Sequence, residues 1–275
     1  MIQNIPFAEY QAIKAINASA IKKGRISMKA MKHYLENGQK ATTTMDFGDC
    51  IHAFILEPDR FSYVVWTGKV KNGKKWDAFK KESGDKFILT PDQEADLKNI
   101  AEAVMADPDA KHIIRDCQKE VALTWDNEVV GAAKCRVDCL SPSYAADLKT
   151  TEAVDIGVRW YKNSSYKMGN HIQAAFNLEG AGKNAKNAPD TFYNVVIQQH
   201  APYDVVVYEM TKDLIERGRR EVLDILQRWK VACLTESFTG VCPNGITLLD
   251  VPEYVKKQIG ETQEVPEQEM EATEL

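Results

Sequence analysis

Asp138 and the run Asp147-Leu148-Lys149 fall on two segments that read as neighbouring strands of one hairpin. The first segment runs from Ala133 to Leu140 and the second from Tyr144 to Thr150, with Ser141-Pro142-Ser143 as the turn between them. Side chains alternate along a strand, so Asp147 and Lys149 face one way and Leu148 the other, while Asp138 shares a face with Arg136. Antiparallel pairing brings Asp138 beside Asp147. Two carboxylates this close repel each other unless a cation lies between them. Mg2+ suits that place, being a hard ion that takes oxygen ligands and keeps several waters, and Mn2+ can substitute because its preferences are similar. Such an ion orients a phosphate and lowers the pKa of a water. Lys149, one pleat away, is placed to position that water or to offset charge developing on the phosphate. A string of this kind also arises by chance on solvated strands. Here Leu140 and Leu148 flank the acids with apolar surface and Ala145-Ala146 add little bulk, which argues for a buried site.

The segment from Asp46 to Glu57 reads as a buried helix, because Phe47, Ile51, Phe54 and Ile55 recur at helical spacing. Asp46 is the expected cap and Pro58 lies just past the end. His52 sits among these apolar residues. A lone histidine there is most often a hydrogen-bonded core residue, but a neutral imidazole is also an acceptable ligand for a divalent metal.

Three stretches together resemble the catalytic domain of the RecE (exodeoxyribonuclease VIII) family, within the PD-(D/E)xK nuclease superfamily. Gly48-Asp49-Cys50-Ile51-His52-Ala53-Phe54-Ile55-Leu56-Glu57-Pro58 resembles its G-T-x-x-H-x-x-x-L-E-P motif, Arg136-Val137-Asp138 its R-x-D strand, and Asp147-Leu148-Lys149-Thr150-Thr151 its D-x-K-T-T motif. The similarity runs from about Asn17 to about Trp229, with the motifs in family order. It implies an α/β fold with a restriction-endonuclease-like core, a mixed central sheet flanked by helices. It also implies that His52, Asp138, Asp147 and the Leu148 carbonyl hold the metal and that Lys149 is the catalytic lysine. His171-Ile172-Gln173-Ala174-Ala175-Phe176, in a helix expected over 166–180, resembles a further family motif. It implies that Gln173 reaches the site, with Tyr166 seven residues earlier on the same face. Relatives often carry a tyrosine three or four residues after the glutamine, where this chain has Phe176 and Asn177. Ser19 and Ser27 fall in a stretch resembling the family's opening segment and are candidates for touching a terminal phosphate.

The activity implied is Mg2+-dependent exonucleolytic degradation of linear double-stranded DNA, 5′ to 3′, leaving 3′ single strands. The partners implied are DNA ends, a single-strand annealing protein and further copies of the chain in a ring. Two alternatives remain open at this stage: an endonuclease of the same superfamily, and an inactive DNA-binding or assembly module.

At 275 residues, with 44% hydrophobic and 27% charged residues, the chain is long enough to bury a large core. The expected organisation is an exonuclease domain over 1–259, with a helical N-terminal part to residue 45 and a nuclease core over 46–230, then an acidic, disordered tail over 260–275. No apolar run has membrane length and no secretory leader is evident, so the expected location is the cytoplasm of a bacterium, with a phage-encoded origin equally compatible. The six cysteines form no disulfide or zinc framework.

A net charge of -5 does not mark a nucleic-acid binder, yet the charge is uneven. The tail carries six glutamates and no Lys or Arg, which leaves the remainder close to neutral with basic zones. One zone holds Lys22, Lys23 and Arg25. Another, a loop expected over 66–89, holds Lys74 and Lys75 beside Trp76. These are candidates for sequence-independent contacts to DNA phosphates.

Overall fold

The acidic hairpin lies in the middle of a six-stranded sheet. The computed structural model describes residues 2–3, 5–38, 43–242, 245–246, 249–252 and 255–256. In chain order the elements are β1 (Ile2–Gln3), α1 (Phe7–Ala12), α2 (Ala18–Gly24), α3 (Met28–Asn37), α4 (Thr43–Leu56), β2 (Tyr63–Val65), α5 (Gly73–Ser83), β3 (Phe87–Leu89), α6 (Pro91–Ala106), α7 (Pro108–Arg115), β4 (Gln118–Asn127), β5 (Gly131–Leu140), β6 (Tyr144–Thr151), α8 (Val158–Lys167), α9 (Asn170–Asn184), β7 (Thr191–Gln198), β8 (Val205–Glu209) and α10 (Lys212–Leu234). A first unit spans Met1–Gly240. The second, Val241–Leu275, is described only in short stretches, two of which are joined by a Lys256–Asp250 pair at 2.7 Å.

The strand order is β1-β4-β5-β6-β7-β8. β6 and β7 run parallel and the other neighbours antiparallel, which makes the sheet mixed as expected. Tight turns build the β4–β5–β6 meander. Asn127 Oδ1 accepts from the backbone of Val129 and Val130, and Gly131 takes a positive φ of 74° that a side chain would oppose. A parallel β6–β7 pair needs a crossover, which α8 and α9 supply. That crossover brings α9 across the sheet near the acidic strands.

Helices cover both faces. On one side Ile21, Met31, Trp125, Val137, Ile172, Phe176, Val222 and Ile225 form a core between the sheet and α2, α3, α9 and α10. On the other, Ile51, Leu97, Ile100, Ile114, Leu148, Val195 and Ile197 join the sheet to α4, α6 and α7. Thr90 caps α6 through a reciprocal pair with Gln93, at 3.2 and 3.0 Å, as Thr90-Pro91 in the sequence suggests. Among the described residues no helix is long and apolar enough to cross a membrane.

Three local expectations need correction. α4 begins at Thr43, so Asp46 lies inside the helix rather than capping it. The stretch expected as a basic loop over 66–89 contains α5 and the strand β3, because Trp66, Trp76 and Phe79 pack together and give the helix an apolar contact. The helix expected over 166–180 is two helices, broken where Gly169 adopts φ 71° against α2. The acidic tail lies outside the described residues.

The α9–α10 crossing depends on Gly218. A Cβ there would lie 2.2 Å from the His171 carbonyl oxygen and 2.9 Å from Ala175 Cβ. Because the obstacle is backbone, Gly218→Ala is expected to destabilise the fold by about 1–3 kcal/mol, the usual cost of overpacking. An unchanged urea midpoint would show that the two helices separate freely.

Candidate metal centre and catalytic cluster

The β5–β6 ladder pairs Leu140 with Ala145 and Cys139 with Ala146 and then stops. The next residues in that register are Asp138 and Asp147. Instead of continuing the ladder, the Leu148 N–H donates to Asp138 Oδ2 at 2.8 Å. From this point β5 continues its pairing with β4 while β6 continues beside β7. The strands therefore part where the acids lie, and the opening admits side chains from neighbouring elements.

α4 supplies the first of these. A Cβ on Gly48 would lie 2.9 Å from Thr150 Oγ1, so the glycine lets this helix press against β6. One turn further on, His52 Nδ1 stands 3.6 Å from Asp138 Oδ2. β4 supplies Glu120. Pairing is regular on either side, with Lys119 opposite Cys139 and Val121 opposite Val137, but Glu120 itself has φ 54°. A non-glycine residue in that region costs on the order of 1–3 kcal/mol and persists only where surrounding contacts hold it. The holding contact is Arg136, whose Nε lies 2.8 Å from Glu120 Oε2 and whose other guanidinium nitrogen lies 3.3 Å from Glu57 Oε2. The glutamate after Leu56 and the arginine two residues before Asp138 thus act together, clamping a carboxylate into the site.

Ligand atoms of His52, Glu120 and Asp138 all lie within 4.8 Å of one another. This set differs from the expected His52, Asp138 and Asp147. The Asp147 carboxylate, opposite Asp138, is engaged by Lys149 and by the Gln173 side-chain amide, which donates to it. Gln173 Oε1 in turn accepts from Lys149 Nζ at 3.0 Å and from Lys22 Nζ at 2.7 Å. The Leu148 backbone, expected to offer its carbonyl to the metal, also uses its N–H to hold Asp138.

The electrostatics suit a cation. Burial, and then the neighbouring Asp138, push Glu120 up to about 8. Burial, and then Asp147, raise Asp138 well above the carboxylate range. Burial lowers His52, leaving a neutral imidazole able to bind metal. Two buried carboxyls that raise each other's proton affinity, beside an unprotonated nitrogen, form a donor set that a divalent ion satisfies.

The other candidates divide. Lys149 and Gln173 join the cluster. Tyr166 does not: the break at Gly169 turns it away to stack on His171, 4.5 Å between rings, and its hydroxyl donates to Glu221. Arg25 is engaged by Glu221 at 3.1 Å and by the Tyr166 and Lys167 carbonyls. Ser27 caps α3, its hydroxyl accepting from Ala30 N–H. Ser19 is exposed and lines a cleft of about 1130 Å³ that also reaches Asp49, Arg136 and Gln173. Lys74 and Lys75 are exposed on α5 and Trp76 is half-buried. The sequence reading missed Glu120, whose approach to Asp138 depends on the β4–β5 register. Lys22 was expected only as one of a basic zone facing DNA phosphates, since nothing local distinguishes it from Lys23.

A mixed sheet bearing two acids and a D-x-K lysine where two strands part defines a PD-(D/E)xK-type domain. The chain belongs to the family described as PDDEXK-like domain of unknown function (DUF3799), whose model matches residues 17–244. A crystal structure of a Eubacterium rectale protein, named provisionally as an exonuclease, shares the fold. The TM-score is 0.61 at 16% identity, covering 93% of this chain and 98% of that one. A structure of SSO0001 is 16% identical over 56% of this chain and 80% of its own, with a TM-score of 0.28. No curated protein matches.

Asp138 and Glu120 keep protons in the folded chain well above the ordinary carboxylate range, up to about 8. These two acids therefore contribute a stability to the metal-free fold that is lost as pH rises from about 4 to about 8. A bound ion replaces those protons. The gain in Tm on adding Mn2+ is accordingly expected to grow between about pH 6 and about pH 8, and to shrink in Glu120→Gln. A pH-independent gain would contradict this charge assignment.

Proposed function

We propose that the protein is a divalent-metal-dependent DNA exonuclease acting on linear duplex ends. The observation that carries the reading is the convergence of His52, Glu120 and Asp138 beside the Asp147–Lys149–Gln173 group, whose Gln173 also lines a cleft. Membership in the PDDEXK-like family supports phosphodiester hydrolysis. The resemblance to RecE supports a 5′-to-3′ direction, 3′ single-stranded products and a role in recombination by strand annealing, with Mg2+ as the ion. A ring-shaped homo-oligomer, an annealing partner and a cytoplasmic location belong to the same proposal and rest on the resemblance and the composition.

His52, Glu120 and Asp138 would hold the ion, with Asp147 adjacent. When bound, it supplies Lewis-acid polarisation of a phosphoryl oxygen and of an attacking water. The chain's own groups do the rest. Arg136 keeps Glu120 turned inward against its unfavourable backbone. Gln173 holds Asp147 by its amide and Lys149 by its oxygen, fixing both in one orientation. Lys149, paired with Asp147, is placed to hold the water and to offset charge on the phosphate as the 3′ oxygen departs.

End-labelled linear duplex with Mg2+ tests this directly. Wild type is expected to release nucleotides, while Asp147→Ala and Lys149→Ala lose roughly 10²–10⁴-fold in rate, the range for removal of a positioned acid, base or charge-stabilising group. Equal activity in all three proteins would reject the assignment. Cutting of covalently closed circles would favour an endonuclease.

A further inference from the structure

Lys22 stands apart from the basic residues around it. Lys149 is matched by Asp147 and Arg25 by Glu221, but the hydrogen-bond partner of Lys22 is the neutral oxygen of Gln173, 2.7 Å away. Among the described residues it forms no ion pair with a carboxylate. α2 runs against α9 here with little room to spare: a Cβ on Gly169 would lie 3.3 Å from Lys22 Cγ. The stem of Lys22 is therefore fixed and its ammonium is delivered to the catalytic cluster rather than spread into solvent. Burial, and then the neighbouring Lys149, lower its pKa to about 7. The Asp147 carboxylate acts on it only from a distance and offsets this in part, so the ammonium has lost water without gaining a direct ion pair.

Gln173 Oε1 thus receives two ammonium groups with different duties available to them. Lys149 is held by an acid on its own strand, two residues away. Lys22 comes from a separate helix, and letting go of Gln173 would separate no ion pair. An entering phosphate could therefore recruit it at the cost of one neutral hydrogen bond. On the same face of α9, one turn beyond Gln173, Asn177 is buried, lines the cleft and has an Nδ2 without a hydrogen-bond partner among the described residues. A second donor therefore lies near the path an anion would take.

We propose that Lys22 is a substrate-binding residue, gripping a non-bridging oxygen of the DNA phosphate that enters beside Gln173, while Lys149 serves the chemical step. This rests on the nuclease reading above and names the division of labour within that same site. A phosphodiester oxygen supplies the charge the Lys22 ammonium lacks, and a charge-assisted hydrogen bond forms at a preset position.

The test separates binding from hydrolysis. Fluorescence anisotropy of a labelled blunt duplex in EDTA, from about 50 to about 200 mM salt, measures the slope of log K against log[salt] for wild type, Lys22→Gln and Lys22→Arg. Loss of one phosphate contact lowers that slope by about 0.9. Lys22→Gln is expected to show this loss, and Lys22→Arg to keep the wild-type slope. With Mg2+, Lys22→Gln is expected to raise KM about tenfold, the worth of one hydrogen bond to a charged group, with a smaller change in kcat. A merely structural lysine would leave the slope unchanged. A wild-type slope in Lys22→Gln, a lowered slope in Lys22→Arg, or a fall in kcat at constant KM would each overturn the proposal. Should Lys22→Gln fail to fold by circular dichroism, Lys22→Met and Lys22→Arg give the same comparison. A wild type that binds with a Lys22-dependent slope yet hydrolyses nothing would contradict the proposed activity and leave this assignment standing.

Discussion

The separation of β5 from β6 at Asp138 and Asp147 is the constraint on which the site depends. Up to Cys139 and Ala146 the strands form an ordinary ladder, and beyond it the Leu148 N–H turns to a side-chain carboxylate. That hydrogen bond satisfies a backbone donor which would otherwise be buried without a partner, so the parting costs little. It also fixes one oxygen of Asp138. The sheet remains continuous, because β5 keeps β4 and β6 keeps β7, and the gap becomes a local pocket instead of a break in the fold.

What fills the gap is charge. An arginine bridged to two glutamates, two lysines on one amide oxygen and two aspartates converge from distant parts of the chain, with Val137, Leu148 and Phe176 buried in the flanking cores. Buried charge of this density is stable only when each group has a partner of opposite sign or a hydrogen bond. The Asp147–Lys149–Gln173 group meets that requirement within the chain. In the His52–Glu120–Asp138 group Arg136 pairs with Glu120 and the Leu148 N–H bonds Asp138, yet burial and a neighbouring carboxylate still drive both acids toward their protonated forms. The imbalance identifies where a cation belongs, and the strained backbone at Glu120 shows that the fold maintains the arrangement against a local cost.

Much of this was legible in the sequence wherever one segment carried its own pattern. The alternation of Asp147, Leu148 and Lys149, the turn at Ser141-Pro142-Ser143, the apolar spacing around His52 and the Thr90-Pro91 cap each specify local structure, and each is present. The mixed sheet flanked by helices agrees with the expected core. What was hidden depends on register and crossings. Glu120 enters the site only because β4 pairs with β5 in one register and bends at that residue. Lys22 enters only because α2 lies against α9. Tyr166 was misplaced because Gly169 ends one helix and starts another, and a lone glycine inside an apolar pattern does not announce a break. Ser27 and Arg25 carried polar groups that the fold uses for a cap and an inter-helix tie.

The central claim is that a divalent ion binds where α4, β4 and β5 meet beside the Asp147–Lys149 pair. Anomalous diffraction from crystals soaked in Mn2+ tests it most directly. The account requires a peak bonded to His52 and Asp138, with Glu120 or Asp147 completing the carboxylate shell. A peak elsewhere, or full Mn2+ loading with His52 and Asp138 left uncoordinated, would contradict it.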